Sequence, residues 1–366
     1  MSNVYMIDAR SRDLDHAFLT KLDMILDAAN LDGLFSPGEP VVIKINVGEL
    51  GNTAYLRPVV IRAVVEKVLS LGSKPLVVES TMFGRQSDLD WFEVATMHGF
   101  AANVLGSERT LADSYTGNEG ELLPTGGTEM GMVKVARLVK EAKALLVISH
   151  VTGHPLAGLS GALVNLGLGC LAGDGKGKIH QPLKPQIDAD KCNGCGRCVA
   201  YCRERALVVV EEQLELAAER CNGCGLCISV CSPRAITMDK DSTIRFQQRV
   251  AEAAKAVMNA VDGRVRCFSF LLDICPQPDD YPFSDTPFVP NLGILMSEDP
   301  VAIDKASLDQ IDRAPGMPMS AADDLGILAP NRDKLAAIVG VDPNPLIRHA
   351  ERIDLGRTHY QLMISS

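Results

Sequence analysis

Eight of the eleven cysteines lie between Cys192 and Cys231, where they form two copies of one motif. The segment KCNGCGRCVAYCRERAL (191–207) aligns with RCNGCGLCISVCSPRAI (220–236) at a constant offset of 29 residues. Both copies have the spacing Cys-x2-Cys-x2-Cys-x3-Cys. Four thiols so close in sequence cannot share one helix face, so each copy must fold as a tight loop followed by a short helix.

This spacing is the one by which bacterial-type loops hold 4Fe–4S clusters, and in two-cluster ferredoxins the fourth cysteine ligates the other cluster. We therefore predict two 4Fe–4S clusters with crossed ligand sets. The first cluster takes Cys192, Cys195, Cys198 and Cys231, and the second takes Cys221, Cys224, Cys227 and Cys202. Positive φ angles in the loops would bring backbone N–H groups close to the sulfides, and glycine supplies them at Gly194, Gly196, Gly223 and Gly225.

Two zinc knuckles are the alternative interpretation of these cysteines. Zinc sites, however, use pairs of Cys-x2-Cys separated by a dozen or more residues, and here three cysteines fall within seven. The motif differs from the common one after its fourth cysteine, because Cys202 precedes Arg203 and Cys231 precedes Ser232 instead of proline.

Charge and hydropathy limit the surroundings in which such clusters would work. Acidic residues outnumber basic ones by 46 to 36, with no basic stripe, so we expect no nucleic-acid partner. No apolar run approaches the roughly 18 residues that span a bilayer. The acidic start MSNVYMIDARSRDLD is unlike a signal peptide. These features predict a cytoplasmic protein without membrane insertion, where cysteines serve as metal ligands more often than as disulfides.

The remaining chain reads as alternating strands and helices. Buried strands are predicted at 41–46, 75–79, 144–150, 265–273, 291–297 and 360–365, and helices at 58–71, 132–145, 243–261 and 299–311. Asp299 is the expected cap of the last helix, with Pro300 at its first position. The predicted class is α/β, a mostly parallel sheet with helices on both faces, interrupted by a small α+β ferredoxin-like domain. The predicted boundaries are 1–185 and 241–366 for the two parts of the body and 186–240 for the insert.

Ligands of parallel sheets bind beyond the carboxyl ends of the strands. Lys44, Glu79 and His150 end three predicted strands, and His154 follows the third, so these four are the candidate catalytic residues. Weaker candidates at strand ends or in the glycine-rich stretch 149–180 are Asn165, His180, Asp273 and Cys275. For each of these side chains a solvated charge, a helix cap or a buried turn is the competing interpretation, and a metal site is a third one for the histidines.

No phosphate-binding motif supports a nucleotide ligand, because Lys176 is followed by glycine and Lys178 by isoleucine. Three thiols lie outside the repeat. Cys267 falls in an apolar strand and is predicted to be a core residue. Cys170 and Cys275 lie beside glycine and proline turns, where either could be a reactive thiol.

Several stretches together resemble the iron–sulfur centre proteins classed as domain of unknown function 362. They are VVIKINVGELGN (41–52), KPLVVEST (74–81), SHVTGHPLAGLSGALVNLGLG (149–169), GKGKIH (175–180), the double cysteine run, and PFVPNLGILMSEDPVAIDKAS (287–307). The resemblance implies an α/β body with an inserted bacterial-type ferredoxin domain. This chain departs from the family pattern at Val164, where a lysine is usual, and at Cys275, which stands alone in place of Cys-Asp-Cys.

Three functions remain open at this stage. The first is an iron–sulfur oxidoreductase that passes low-potential electrons to a small-molecule substrate in the body, with a role in anaerobic metabolism. The second is a non-catalytic electron carrier or adaptor that docks a redox partner protein or low-potential donor. The third is a cluster-based sensor or maturation factor. The oligomeric state is left open.

Overall fold

The computed structural model describes residues 1–83 and 90–365. Its strands are β1 Ser2–Asp8, β2 Pro40–Lys44, β3 Lys74–Glu79, β4 Arg109–Leu111, β5 Gly120–Pro124, β6 Met132–Ala136, β7 Ala144–His150, β8 Thr152–His154, β9 Gly158–Ser160, β10 Pro185–Ile187, β11 Leu207–Val210, β12 Gln213–Leu216, β13 Ile236–Met238, β14 Val265–Leu271, β15 Gly293–Ser297 and β16 Tyr360–Ser365.

Helices connect these strands. They are α1 Phe18–Ala28, α2 Pro58–Ser70, α3 Trp91–Met97, α4 Ala102–Leu105, α5 Arg137–Lys140, α6 Ala162–Gly167, α7 Gly173–His180, α8 Arg197–Tyr201, α9 Leu226–Ser229, α10 Lys240–Ala260, α11 Pro300–Arg313, α12 Ala321–Asp324, α13 Lys334–Val339 and α14 Asn344–Arg352. A short 3-10 turn spans Leu31–Gly33. Within the described ranges, no helix is both long and apolar enough to cross a membrane.

Eight strands form the central sheet in the order β16-β1-β15-β14-β7-β2-β3-β4. Five of its neighbouring pairs are parallel, and β15 is antiparallel to both of its neighbours. Successive side chains of a strand point to opposite faces, so the alternating residues of β2 separate into two cores. Val42 packs with α10 and α11, whereas Val41 and Ile43 pack with α1 and α2. The predicted α/β class, with a mostly parallel sheet and helices on both faces, is confirmed.

The helix predicted at 132–145 is wrong. Residues 132–136 form β6, which pairs with β5, and only the four residues of α5 are helical before β7 begins. Val133 and Val135 are buried while Met132 is exposed, which is the period of a strand. In a short apolar segment both periods fit nearly the same positions, and only the pairing with β5 distinguishes them.

The other predicted elements form near their expected bounds. Asp299 caps α11 as predicted, because its carboxylate accepts hydrogen bonds from Val301 N at 2.8 Å and Ala302 N at 3.0 Å. The C-terminal strand β16 lies parallel to β1, a strand that the sequence pattern did not reveal. The N-terminal and C-terminal segments therefore lie side by side at one edge of the sheet.

The cysteine-rich segment leaves the body between two paired strands. β10 and β13 are antiparallel, so the chain enters and leaves the segment at neighbouring points. Between them, β11 and β12 form a hairpin, and α8 and α9 follow the two cysteine loops. The segment has its own small core, which includes Cys198, Leu207 and Ile236.

Candidate functional site

Two cavities in the cysteine-rich segment are lined by thiols. The first thiol cavity is lined by Cys192, Cys195, Cys198 and Cys231. The second thiol cavity is lined by Cys202, Cys221, Cys224 and Cys227. In each cavity, three thiols come from one repeat and the fourth from the other repeat. The structure therefore places the eight cysteines in the same two crossed groups that the spacing predicts.

The two loops repeat the same local contacts. Asn193 Oδ1 accepts from Cys195 N at 3.3 Å, and Asn222 Oδ1 accepts from Cys224 N at 3.1 Å. Ala206 N donates to Cys202 Sγ, and Ala235 N donates to Cys231 Sγ, both at 3.2 Å. The four loop glycines have φ between 65° and 80°, as predicted: Gly194, Gly196, Gly223 and Gly225. These matching contacts give the two loops the same backbone conformation.

The thiol donors are chemically suited to a 4Fe–4S cluster or to zinc. Soft thiolates select zinc or iron–sulfur centres, and Val209, Leu214 and Ile236 give the first thiol cavity apolar walls. Among the described residues, no group of three or more His, Cys, Asp and Glu side chains is placed to hold a metal ion. Cys202, which follows α8, lines the second thiol cavity, and Cys231, which follows α9, lines the first.

The second cysteine loop packs tightly against the body. A Cβ atom at Gly223 would lie 2.5 Å from His180 O, and one at Gly225 would lie 3.3 Å from the Leu156 side chain. A Cβ atom at Gly196 of the first loop would meet no described atom within 4 Å. The second thiol cavity is therefore the one that lies against the body.

Replacing Gly223 with alanine should separate the cost of a positive φ from the cost of crowding the body. Gly223→Ala and Gly196→Ala both force a residue with a Cβ into a positive φ, at about 1 kcal/mol. Only Gly223→Ala also drives a Cβ into His180 O, so we expect its loss of unfolding free energy to be larger by about 2 kcal/mol. Chemical denaturation of both variants measures this difference. Equal losses would show that the second loop does not press on the body.

A third cavity lies beyond the carboxyl ends of the parallel strands, and we call it the strand-end cavity. It measures about 130 Å³. Lys44, Glu79 and His150 are the last residues of β2, β3 and β7, and all three line it. His154 lines it as well, so it brings the four candidate catalytic residues together. Two of the weaker candidates, Asn165 and His180, also belong to its wall.

His150 uses both of its ring nitrogens on protein acceptors. Nδ1 lies 2.6 Å from Asp279 Oδ1, and Nε2 lies 2.6 Å from Leu272 O. Burial disfavours the imidazolium, but the Asp279 carboxylate and these two hydrogen bonds outweigh burial and raise the pKa of His150. The ring thus ties β7 to the segment that follows β14, and it has no nitrogen left for a ligand.

His154 and His180 are neutral at physiological pH. Burial lowers the pKa of His154 to about 3 and that of His180 to about 4. His154 Nδ1 accepts from Leu156 N and Ala157 N, which leaves the proton on Nε2. His180 Nδ1 donates to Lys176 O at 2.8 Å, which leaves Nε2 as an acceptor. One ring therefore offers a donor and the other an acceptor.

Glu79 is held by the only tryptophan of the chain. Its Oε2 accepts from Trp91 Nε1 at 2.7 Å and from Val47 N at 3.2 Å. Burial raises the pKa of Glu79, against the opposing effects of Lys44 and of these hydrogen bonds. Trp91 is therefore in direct contact with a side chain of the strand-end cavity.

Sequence reasoning missed three charged residues of the cavity wall, Lys176, Asp279 and Asp280. Asp280 is exposed to solvent. The enclosing walls, together with the charges of Asp279 and Glu79, raise its pKa to about 7, and Lys176 opposes them. The adjacent aspartates in PQPDDYP were the available signal, but they lie in a loop without periodicity.

The remaining candidates lie away from this wall. Asp273 forms an ion pair with Arg57 at 3.1 Å, at a partly exposed position. Cys275 and Cys170 are fully buried, and burial raises the pKa of their thiols to about 12 and about 11. Such thiols are mostly unionised, which disfavours the reactive roles considered for them. Cys267 is a core residue of β14, as predicted.

The strand-end cavity and the second thiol cavity share part of their walls. Cys224 and Leu226 line both cavities, and Met82 and Phe83 do as well. Val164 is buried and also lines the strand-end cavity. A ligand of the strand-end cavity would therefore lie directly beside one of the second set of thiols.

The fold and these cavities define an α/β protein with a cysteine-rich insert beside a polar cavity at the strand ends. The chain belongs to the family described as domain of unknown function (DUF362), whose model matches residues 41–309. No curated protein matches the sequence at a significant level.

Two solved structures are similar to parts of the chain. A Thermotoga maritima protein, determined as a structural genomics target, has 12% identity and a TM-score of 0.39, over 70% of this chain and 50% of its own. The lactate racemase apoprotein from Thermoanaerobacterium thermosaccharolyticum has 12% identity and a TM-score of 0.29, over 63% of this chain and 48% of its own. The chain thus spans about half the length of each.

Proposed function

We propose that this protein is an iron–sulfur oxidoreductase, in which two 4Fe–4S clusters carry low-potential electrons to a small molecule in the strand-end cavity. The observation that carries the proposal is the position of Cys224. This cysteine lines the second thiol cavity and also the wall of the strand-end cavity. A group held by the second set of thiols would lie within direct reach of a molecule bound beside it.

The clusters, when bound, would supply electrons singly and at low potential. Their ligands would be the two crossed groups of thiols, Cys192, Cys195, Cys198 and Cys231 in one and Cys202, Cys221, Cys224 and Cys227 in the other. The first group is nearer to solvent, because Cys195 is exposed. We infer that a low-potential donor protein of the cytoplasm delivers electrons there.

The polar residues of the strand-end cavity support a catalytic role over simple electron carriage. A carrier needs no enclosed polar site, whereas a reduction needs its substrate oriented and supplied with protons. His154 offers an N–H donor and His180 an acceptor nitrogen to a ligand. Asp280 is the carboxyl group that solvent can reach and whose pKa lies near 7. We assign it the exchange of protons with the substrate.

Asp280→Asn tests this assignment. Because the amide cannot transfer a proton, we expect the rate of substrate reduction to fall about 100-fold. In the parent protein the rate should decline above pH 7, where Asp280 ionises, and the variant should lose this dependence. Asp285→Asn is the matched control, since Asp285 lies in the same loop but does not line the strand-end cavity.

The assay would use protein purified without oxygen and reduced with dithionite. Low-molecular-mass fractions and protein fractions of cell extract are added in separate reactions, and reoxidation is followed at the visible absorbance of the clusters. We expect one fraction to reoxidise the parent and the Asp285→Asn variant quickly and the Asp280→Asn variant slowly. Reoxidation by protein acceptors alone, at equal rates in all three proteins, would support the electron-carrier function and overturn the proposal.

A further inference from the structure

Two lysines of the strand-end cavity are buried with incomplete hydrogen bonding. Lys44 is 2% exposed and Lys176 is 5% exposed. An ammonium group carries three N–H donors. Lys44 Nζ donates to Ile45 O at 2.6 Å, and Lys176 Nζ donates to Ser80 Oγ at 2.7 Å and to Thr81 O. Among the described residues, three of the six donors therefore have no protein acceptor.

Neither ammonium group forms an ion pair with a described carboxylate. Glu79 is close enough to influence the charge of Lys176, and so is Asp113. Glu79 Oε2, however, accepts from Trp91 and Val47, and Asp113 accepts from the backbone and hydroxyl of Thr81. Burying a cation without an ion-pair partner is costly. A bound anion would supply the missing acceptors.

Contacts around Gly169 place the two lysines on the same side of the cavity. A Cβ atom at Gly169 would lie 3.0 Å from Lys44 Nζ. Ser80 Oγ donates to Gly169 O at 2.6 Å and accepts from Lys176 Nζ. Gly169 is thus adjacent to Lys44 and is linked to Lys176 through Ser80, and both lysines line the strand-end cavity.

From this geometry we propose that the strand-end cavity binds a small organic acid, whose carboxylate accepts hydrogen bonds from Lys44 and Lys176. The rest of the wall is apolar enough to hold a carbon skeleton, through Phe83, Leu156 and Leu168. Inorganic phosphate would leave these side chains without a partner. This inference rests on the proposed function in one respect only, namely that the acid is the substrate of that reaction.

Trp91 makes the inference testable without any turnover. It is the only tryptophan, and its indole N–H contacts Glu79 in the cavity wall. Titrating the oxidised protein with acetate, propionate, butyrate or inorganic phosphate should change its fluorescence in a saturable way for carboxylates. We expect the longer acids to bind more tightly, because their chains contact the apolar wall, and phosphate to bind weakly.

Lys44→Met and Lys176→Met should each weaken carboxylate binding about 10-fold to 100-fold, the loss expected for a hydrogen bond to a charged group. Lys178→Met is the matched control. Lys178 lies on the same helix α7, but it is exposed and donates to Met132 O outside the cavity. Carboxylate binding that both cavity variants retain, or tight binding of phosphate alone, would overturn the inference.

Thermal unfolding separates loss of binding from loss of folding. Without added anion, Lys176→Met should raise the Tm, because it removes a buried cation that has no ion-pair partner. A protein that binds carboxylates but is not reoxidised by any small molecule would retain this inference and lose the proposed function. Reoxidation by a neutral molecule, with no carboxylate binding, would retain the proposed function and overturn this inference.

The affinity should also fall as the pH rises above about 8. Burial and the charge of Lys44 together lower the pKa of Lys176 to about 8, against the opposing effects of Asp113, Glu79 and Cys170. Lys176 is therefore mostly charged below this pH and mostly neutral above it. Asp280 in the same wall also ionises in this range, so the fluorescence titrations with propionate at pH 6.5 and pH 9.5 use the Asp280→Asn variant. Binding should be weaker at the higher pH, and the Asp280→Asn/Lys176→Met double variant should not show this change.

Discussion

Cys202→Ala should remove one of the two proposed clusters, and it should be the cluster that the second repeat holds. A chain with two 4Fe–4S clusters contains about eight irons, and we expect this variant to keep about four. The physical reason is the crossing of the repeats, which places Cys202 in the cavity of Cys221, Cys224 and Cys227. Cys231→Ala should likewise cost the cluster of the first repeat.

Double variants test the crossing directly. Cys202→Ala combined with Cys221→Ala affects one cluster twice, so about four irons should remain. Cys202→Ala combined with Cys192→Ala affects both clusters, and almost no iron should remain. Iron analysis and the EPR spectrum of the reduced protein measure these outcomes. The reverse pattern would show that each repeat holds its own cluster.

Cys275→Ala is the control for these measurements. Its thiol is buried in the body and lines none of the three cavities. We expect the variant to keep about eight irons per chain. A parent protein that contains zinc instead of iron would contradict the cluster proposal itself and favour the zinc alternative.

Glu252→Gln should destabilise the body strongly. The Glu252 carboxylate is fully buried in α10 and accepts hydrogen bonds from the backbone N–H groups of Thr128, Glu129 and Met130 at 2.8–2.9 Å. It also contacts His349 Nε2 at 3.3 Å. An amide group would turn an NH2 toward these donors and leave at least one of them unsatisfied. We expect a loss of about 3 kcal/mol in unfolding free energy.

Denaturant unfolding at neutral pH measures this loss as a lower midpoint with an unchanged slope. Glu129→Gln is the control, because its carboxylate lies near the surface, 3.1 Å from Arg245, where an ion pair contributes less than about 1 kcal/mol. Equal losses in both variants would mean that the buried hydrogen bonds add nothing.

Lowering the pH should weaken the stabilisation that the Glu252 carboxylate provides. Burial raises the pKa of Glu252, but the hydrogen bonds to His349 and to the backbone outweigh burial and hold it below its ordinary value. A carboxylate whose pKa is lower in the folded protein than in the unfolded chain stabilises the fold at every pH above its pKa in the unfolded chain. This stabilisation is lost as the pH falls through the pKa of the folded protein. Unfolding free energies measured between pH 7 and pH 3 should therefore converge for the parent and Glu252→Gln.

The strand-end residues were predictable because they follow from a general property of parallel sheets. Lys44, Glu79 and His150 end buried strands, and such ends meet at one edge. Lys176 and Asp280 were not predictable in the same way, because they come from a glycine-rich helix and an irregular loop. Contacts between segments far apart in sequence place them in the wall, and no local pattern encodes such contacts.

The chemical role of each side chain also depended on its partners. His150 had the position of an acid or base, yet Asp279 and Leu272 O occupy both of its nitrogens. Asp279 lies 129 residues further along the chain. A spacing within the sequence can indicate that a histidine lies at a strand end, but the partners of its nitrogens are known only once the loop after β14 has folded against it.

The cysteine repeat shows most clearly what the sequence determines and what the tertiary structure determines. The sequence by itself determined the loop conformation and the crossed grouping of the thiols, because short spacings and glycines leave a chain few alternatives. The two copies share their cysteines, their asparagine and their loop glycines, so the ligand spacing does not tell which of them faces the body. Tertiary packing decided it, since Gly223 lies against His180 O and Gly225 against Leu156, while Gly196 of the first loop meets no described atom.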